Sequence, residues 1–198
     1  FENEKIISNN SYDIAIDVIE SEYKILMLYD HVHPDAITIG KSLESDINVD
    51  FKILSVSEEN IQFSGSDLIL FSGVQVLEKL ICEKIKKSEI PLLFLSNNDE
   101  DLFKNFFDNL SLNLVDNFFE VRPSLDTNFS SFKIDRNLIN QFKNGPSLST
   151  NYLKISGIKR PDIIFKQNVN GITNDNPLIL IERDGVSKGI ILAQNFWR

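Results

Sequence analysis

The sequence predicts an α/β protein: a doubly wound, mostly parallel sheet with helices on both faces and a C-terminal antiparallel β meander. Three observations carry that expectation. Apolar runs at Lys24–Tyr29, Asp67–Phe71 and Pro91–Leu95 read as strands buried on both faces. Between them, apolar residues recur at helical spacing, and the connections are short. Near the end, apolar runs are separated by turn residues alone, the mark of hairpins.

In chain order, Ser11 to Ile19 alternates polar and apolar residues after an Asn9-Asn10 turn signal, the period of a half-buried strand. Lys24–Tyr29 is the first fully buried strand. His33-Pro34-Asp35 then starts a helix, with Pro at its first position and an acid in its first turn. Ala36, Gly40, Leu43 and Ile47 give that helix its apolar side, and Phe51–Val56 is the next strand. Asp67–Phe71 ends at Ser72-Gly73, and Leu77, Leu80, Ile81 and Ile85 mark a helix to about Lys87. Pro91–Leu95 carries its proline where a ladder tolerates one. Ser96-Asn97-Asn98-Asp99 caps a helix whose face is Leu102, Phe103, Phe106, Phe107 and Leu110.

Short strands are expected at Phe118–Val121 and Phe129–Ile134 around Pro123, then a helix from Asp135 to Asn144 stopped by Gly145-Pro146. Ile163–Phe165, Leu178–Ile181 and Gly189–Ala193 form the meander, with turns at Asn170-Gly171, Asn174-Asp175-Asn176 and Asp184-Gly185.

Composition narrows the function. The chain has 198 residues, 42% hydrophobic and 25% charged, enough apolar content for a real core. Its net charge of −9 argues against nucleic acid or an anionic membrane surface as the main partner. One cysteine excludes an intrachain disulfide and a thiolate zinc cluster. No run of about 18 apolar residues, the length a membrane-spanning helix needs, occurs. The opening Phe1–Lys5 does not resemble a signal peptide, and together with the ending at Phe196-Trp197-Arg198 it suggests a piece of a longer protein.

The densest polar cluster is Asp30-His31-Val32-His33-Pro34-Asp35, at the carboxyl end of the first buried strand, where open α/β sheets place ligands. His31 and His33 with the flanking Asp30 and Asp35 are a possible divalent-metal set, although these are the chain's two histidines. A polar loop capping a helix is the plainer account, and no metal is expected. Ser72-Gly73 and Ser96-Asn97 follow buried strands and complete a candidate ligand-binding edge. Neither serine sits in a Gly-x-Ser-x-Gly elbow, and no late histidine serves as base. Cys82 lies inside an amphipathic helix, where it acts as a small hydrophobe. The phosphate-cradling glycine loops are absent, so no cofactor is expected.

With those residues laid out, the chain resembles degenerate class I glutamine amidotransferase-like domains, flavodoxin-like in architecture. Such domains occur in large Bacteroidetes-type envelope proteins that carry batA or von Willebrand factor A-like regions. The resemblance rests on Lys24–Tyr29 leading into His33-Pro34-Asp35, on Asp67–Leu70 followed by Pro91–Leu95, and on Pro177–Leu180 through Gly189–Ala193 to Phe196-Trp197-Arg198. It covers residues 22–198, and residues 1–21 resemble the last strand of an upstream immunoglobulin-like module. A true glutaminase carries Cys at the elbow after the central strand and a His-x-Glu pair near its end. Here the elbow falls at Ser96-Asn97-Asn98, and no histidine follows Pro91.

The resemblance implies a non-catalytic interaction or structural module on the extracytoplasmic side of a membrane-anchored protein. Its partners would be proteins or neighbouring domains, not nucleic acid, with the membrane reached only through segments outside this chain. The alternative is a metal- or small-ligand-dependent hydrolase or sensor built on Asp30, His31, His33 and Asp35.

Overall fold

A strand buried on both faces must send alternate side chains into two separate apolar layers, and the first half of the chain does this. The computed structural model describes residues 22–58, 60–98 and 100–197. Strands β1 (Tyr23–Tyr29), β3 (Leu68–Ser72) and β4 (Leu92–Leu95) lie side by side and parallel, with β2 (Val49–Ser55) outside β1. Met27, Leu70 and Leu95 meet Ala36 of helix α1 (Pro34–Glu44) on one face. Leu26, Leu28, Ile69, Phe71, Leu92 and Phe94 meet helices α2 (Lys79–Ser88) and α3 (Glu100–Phe106) on the other. The centre of that second layer is aromatic. Phe71 stacks on Phe94 with ring centroids 4.8 Å apart, and Phe103, Phe106 and Phe107 surround Phe94 at 5.4 to 5.6 Å.

Past α3 the alternation of strand and helix stops. Strand β5 (Ser111–Leu125) is followed by α4 (Arg136–Asn144), β6 (Leu148–Ser156), β7 (Pro161–Val169), β8 (Ile172–Glu182) and β9 (Lys188–Ile191). Asn170 and Gly171, both at positive φ, form the two-residue turn between β7 and β8. The last strand then inserts between β4 and β8, parallel to one and antiparallel to the other.

The result corrects the expected fold class. The strands form one nine-stranded mixed sheet in the order β2-β1-β3-β4-β9-β8-β7-β5-β6, and half of its pairings are antiparallel. It is not a doubly wound, mostly parallel sheet. The described residues hold four helices, too few to cover both faces of nine strands. The physical reason is that a parallel crossover needs a helix, and the chain supplies none between β6 and β9.

Smaller expectations also change. Phe118–Val121 is part of the long β5, and Phe129–Ile134 is loop. Pro123 does not break β5: pairing with β6 ends at Val121, and beyond it one side of the strand has no ladder partner. Ile47 stands outside α1 and almost fully exposed, and Phe107 and Leu110 lie beyond α3. The alternation at Ser11–Ile19 and the assignment of residues 1–21 to a separate module lie outside the described residues.

Candidate functional site

The chain leaves β1 for β2 on one side and returns for β3 on the other. Such a reversal opens a crevice beyond the carboxyl ends of the two strands, the place where open sheets bind ligands. The residues singled out in the sequence gather at this edge. Asp30, His31 and His33 lie between β1 and α1, Asp35 is in the first turn of α1, Ser72 and Gly73 end β3, and Ser96 and Asn97 follow β4.

Hydrogen bonds tie the three loops together. The His31 backbone N–H donates to the Gly73 carbonyl at 3.0 Å. Gly73 has φ +64, and a Cβ there would stand 2.3 Å from the His31 carbonyl oxygen. Only glycine lets these backbones meet so closely. The Asn97 Oδ1 accepts from the Gly73 N–H at 3.2 Å, and its Nδ2 donates to Ser72 Oγ at 3.1 Å. Asn98, which is buried, goes further. Its Oδ1 accepts from the Val74 N–H at 2.8 Å, and its Nδ2 donates to the carbonyls of Phe71 and Leu95.

The serine after β4 is not presented to solvent. Ser96 is buried, and its Oγ donates to the Ala193 carbonyl at 2.9 Å. Its own carbonyl accepts from the Tyr152 hydroxyl at 3.1 Å. A hydroxyl committed to a backbone carbonyl, with no imidazole as its partner, lacks the base that activates a nucleophile.

The two histidines face different carboxylates. His31 lies 3.4 Å from Asp30 with its side chain 64% exposed. His33 caps α1, its Nδ1 accepting from the Asp35 N–H at 3.2 Å, and the same nitrogen is 3.5 Å from Asp35 Oδ2. Asp35 is buried, and its Oδ2 accepts from the Asn195 N–H at 2.8 Å. Asn195, at φ +72, donates its Nδ2 to Ser149 Oγ. The Asp35 carboxylate thus pins the segment after β9 to the start of α1, while its Oδ1 is buried without a partner. Among the described residues, no three His, Cys, Asp or Glu side chains are placed to hold a metal ion. The Asp30, His31, His33 and Asp35 set divides into two pairs and does not converge.

Cys82 sits buried in α2, where desolvation raises its thiol above the ordinary range. That favours the neutral thiol over the nucleophilic thiolate. Sequence reasoning did not find the roles of Asn98, Ser149, Tyr152 and Asn195. The adjacent Asn97-Asn98 after a buried strand was a signal for a polar tie; the other three are recruited from distant segments with no local sign.

The mixed sheet and its loop-built edge have counterparts among solved structures. Among solved structures, the chain is similar to PurLQS from Thermotoga maritima, at TM-score 0.56 and 12% identity, covering 87% of each chain. It is likewise similar to a protein assigned as a GMP synthase subunit from Thermoplasma acidophilum. There the TM-score is 0.55 and the identity 14%, covering 87% of this chain and 84% of that one. At such identities the likeness is one of fold alone. No protein-family model matches the sequence, and no curated protein matches it at a significant level.

Proposed function

We propose that this chain is a non-catalytic, amidotransferase-like interaction module of a larger bacterial cell-envelope protein. One observation carries the reading: the elbow after β4, where the resemblance would put a catalytic cysteine, holds Ser96-Asn97-Asn98. Each of these side chains is spent on a neighbouring loop or strand. No histidine follows His33 in the sequence, so the nucleophile and the base of the triad are both missing. Likeness of fold does not carry the chemistry with it. The envelope setting, on the extracytoplasmic side, comes from the sequence resemblance to envelope proteins of the batA and von Willebrand factor A-associated kind.

The test is turnover of glutamine, a nitrophenyl ester and a nitrophenyl phosphate by the purified chain, beside its Ser96→Ala variant. The expected rate equals that of buffer in each assay. Robust glutaminase or esterase activity that Ser96→Ala abolishes would overturn the reading. A second experiment addresses the alternative metal-dependent reading of Asp30, His31, His33 and Asp35. Thermal melting against divalent metals and EDTA is expected to give no shift, since a ligand that binds only the folded state must raise the melting point. A metal-specific rise lost in the His31→Ala/His33→Ala double variant would favour the enzyme.

A further inference from the structure

The antiparallel half of the sheet carries one helix that is only partly seated. Helix α4 is strongly amphipathic, yet none of its residues is fully buried. Its apolar side is anchored by Phe142, which meets Phe165 edge-on with ring centroids 5.2 Å apart. Leu138 stays 41% exposed and Phe132, just before the helix, 50%. The carboxyl end is held from the sheet. Arg122 of β5 donates through Nη1 to the carbonyls of Lys143 and Gly145, at 3.1 and 2.6 Å.

Between α4 and the β5–β7 ladder lies a cleft of about 220 Å³, with Pro123, Leu125 and Ile139 as its apolar lining and Arg122, Lys143 and Asn168 as its polar one. No carboxylate lines it, in a chain whose net charge is −9. The surrounding segment, residues 129–144, carries Lys133, Arg136 and Lys143 against Asp135 alone. A second cleft of about 120 Å³ shares Arg122 and Asn168 with the first and adds Ser147 and Asn170, with Glu120 also on its wall. Arg122 therefore lines two depressions that share it and Asn168, with its Nη1 engaged by the end of α4. An arginine fork so placed suits a carboxylate.

We propose that these joined clefts bind an extended acidic peptide segment of a partner protein. Its carboxylates would pair with Arg122 and Lys143, and an apolar side chain would sit against Leu125 and Ile139. The proposal rests on the interaction-module reading and names its class of partner. Charge in the first cleft, where Arg122 and Lys143 face no lining carboxylate, selects an acidic chain. The apolar lining of that cleft selects a hydrophobic neighbour to the acid, and the second depression beside it suits an extended ligand over a single small anion. Because the cations are partly exposed, binding weakens as salt is raised.

The test uses the whole chain and a fluorescein-labelled octapeptide of alternating aspartate and leucine, followed by anisotropy. Comparison peptides alternate aspartate with serine and lysine with leucine. The aspartate–leucine peptide is expected to bind, the aspartate–serine peptide more weakly and the lysine–leucine peptide not at all. Lys143→Glu leaves the carbonyl that Arg122 holds and is expected to weaken binding about tenfold, the scale of a reversed interfacial charge. Ile139→Ser removes the apolar wall and weakens the aspartate–leucine peptide selectively. Arg122→Gln also frees the end of α4, so it is read only beside Lys143→Glu.

Unchanged binding in both Lys143→Glu and Ile139→Ser overturns the proposal, as does capture of phosphatidylglycerol vesicles in place of the peptide. No peptide binding together with silent turnover assays overturns the cleft assignment and leaves the module reading intact. Turnover abolished by Ser96→Ala overturns the module reading whatever the peptide does.

Discussion

The two halves of the sheet are built on different terms. Around β1, β3 and β4 the strands are covered on both faces, and five phenylalanines interlock beneath α2 and α3. Around β5, β7 and β8 a smaller cluster of Val121, Leu148, Leu178 and Ala193 is buried, Leu180 and Tyr152 reach into the first core, and the helix above has no buried residue. The first half derives its order from dense aromatic packing. The second adds less apolar burial and relies more on ladder pairing and a few long-range polar ties. A region held mainly by pairing opens more readily than one held by interlocked rings.

Four measurements would break or sharpen that contrast. Phe94→Ala is expected to cost the most, about 3–5 kcal/mol in denaturant unfolding, because it leaves a cavity among four rings. A cost below that of a surface change would mean the aromatic layer is not the keystone of the parallel half. Asn98→Ala comes next, at about 2–3 kcal/mol, since it takes the acceptor from the Val74 N–H and a donor from the Phe71 carbonyl at a buried position. In the other half, Phe142→Ala should cost about 1–2 kcal/mol. Its loss should appear as faster hydrogen exchange within α4 while α2 keeps its protection; equal loosening of both helices would erase the distinction.

The smallest effect is on pH dependence. Burial raises the Cys82 thiol, so the unfolded chain releases this proton at a lower pH than the folded one. Its contribution to stability is full below the ordinary thiol range and is lost as pH rises through the folded value. Cys82→Ala should flatten the alkaline fall in melting temperature by a small amount, and an unchanged slope would place the source elsewhere.

What the sequence discloses follows the same division. Lys24–Tyr29, Asp67–Phe71 and Pro91–Leu95 are legible because a strand buried on both faces must be apolar throughout, whatever its neighbours. Strand β6, with its mixed Leu148–Ser156 pattern, is not legible, since its strand state depends on pairing with β5 at a distance. Pro123 reads as a break, yet it lies where β5 has lost one partner, a fact of register that composition does not carry. The parallel bias failed for the same reason: nothing local to Lys188–Ile191 says that it will lie beside both β4 and β8. At the candidate edge, Asp30 to Asp35, Ser72-Gly73 and Ser96-Asn97 were legible from their positions after apolar runs. The tie from Asn195 to Asp35 and the burial of Ser96 against Ala193 depend on segments 160 and 97 residues away.

The insertion of β9 has a consequence for biogenesis. Until residues 188–191 have been synthesised, β4 and β8 each present a naked ladder edge, and no strand pairing joins the two halves of the sheet. A nascent chain on the ribosome therefore carries two sticky edges until nearly its whole described length has emerged. Closure is one late, non-local event that zips the sheet in a single step, the kind of step that makes folding slow. Before that step, this chain has most need of a chaperone.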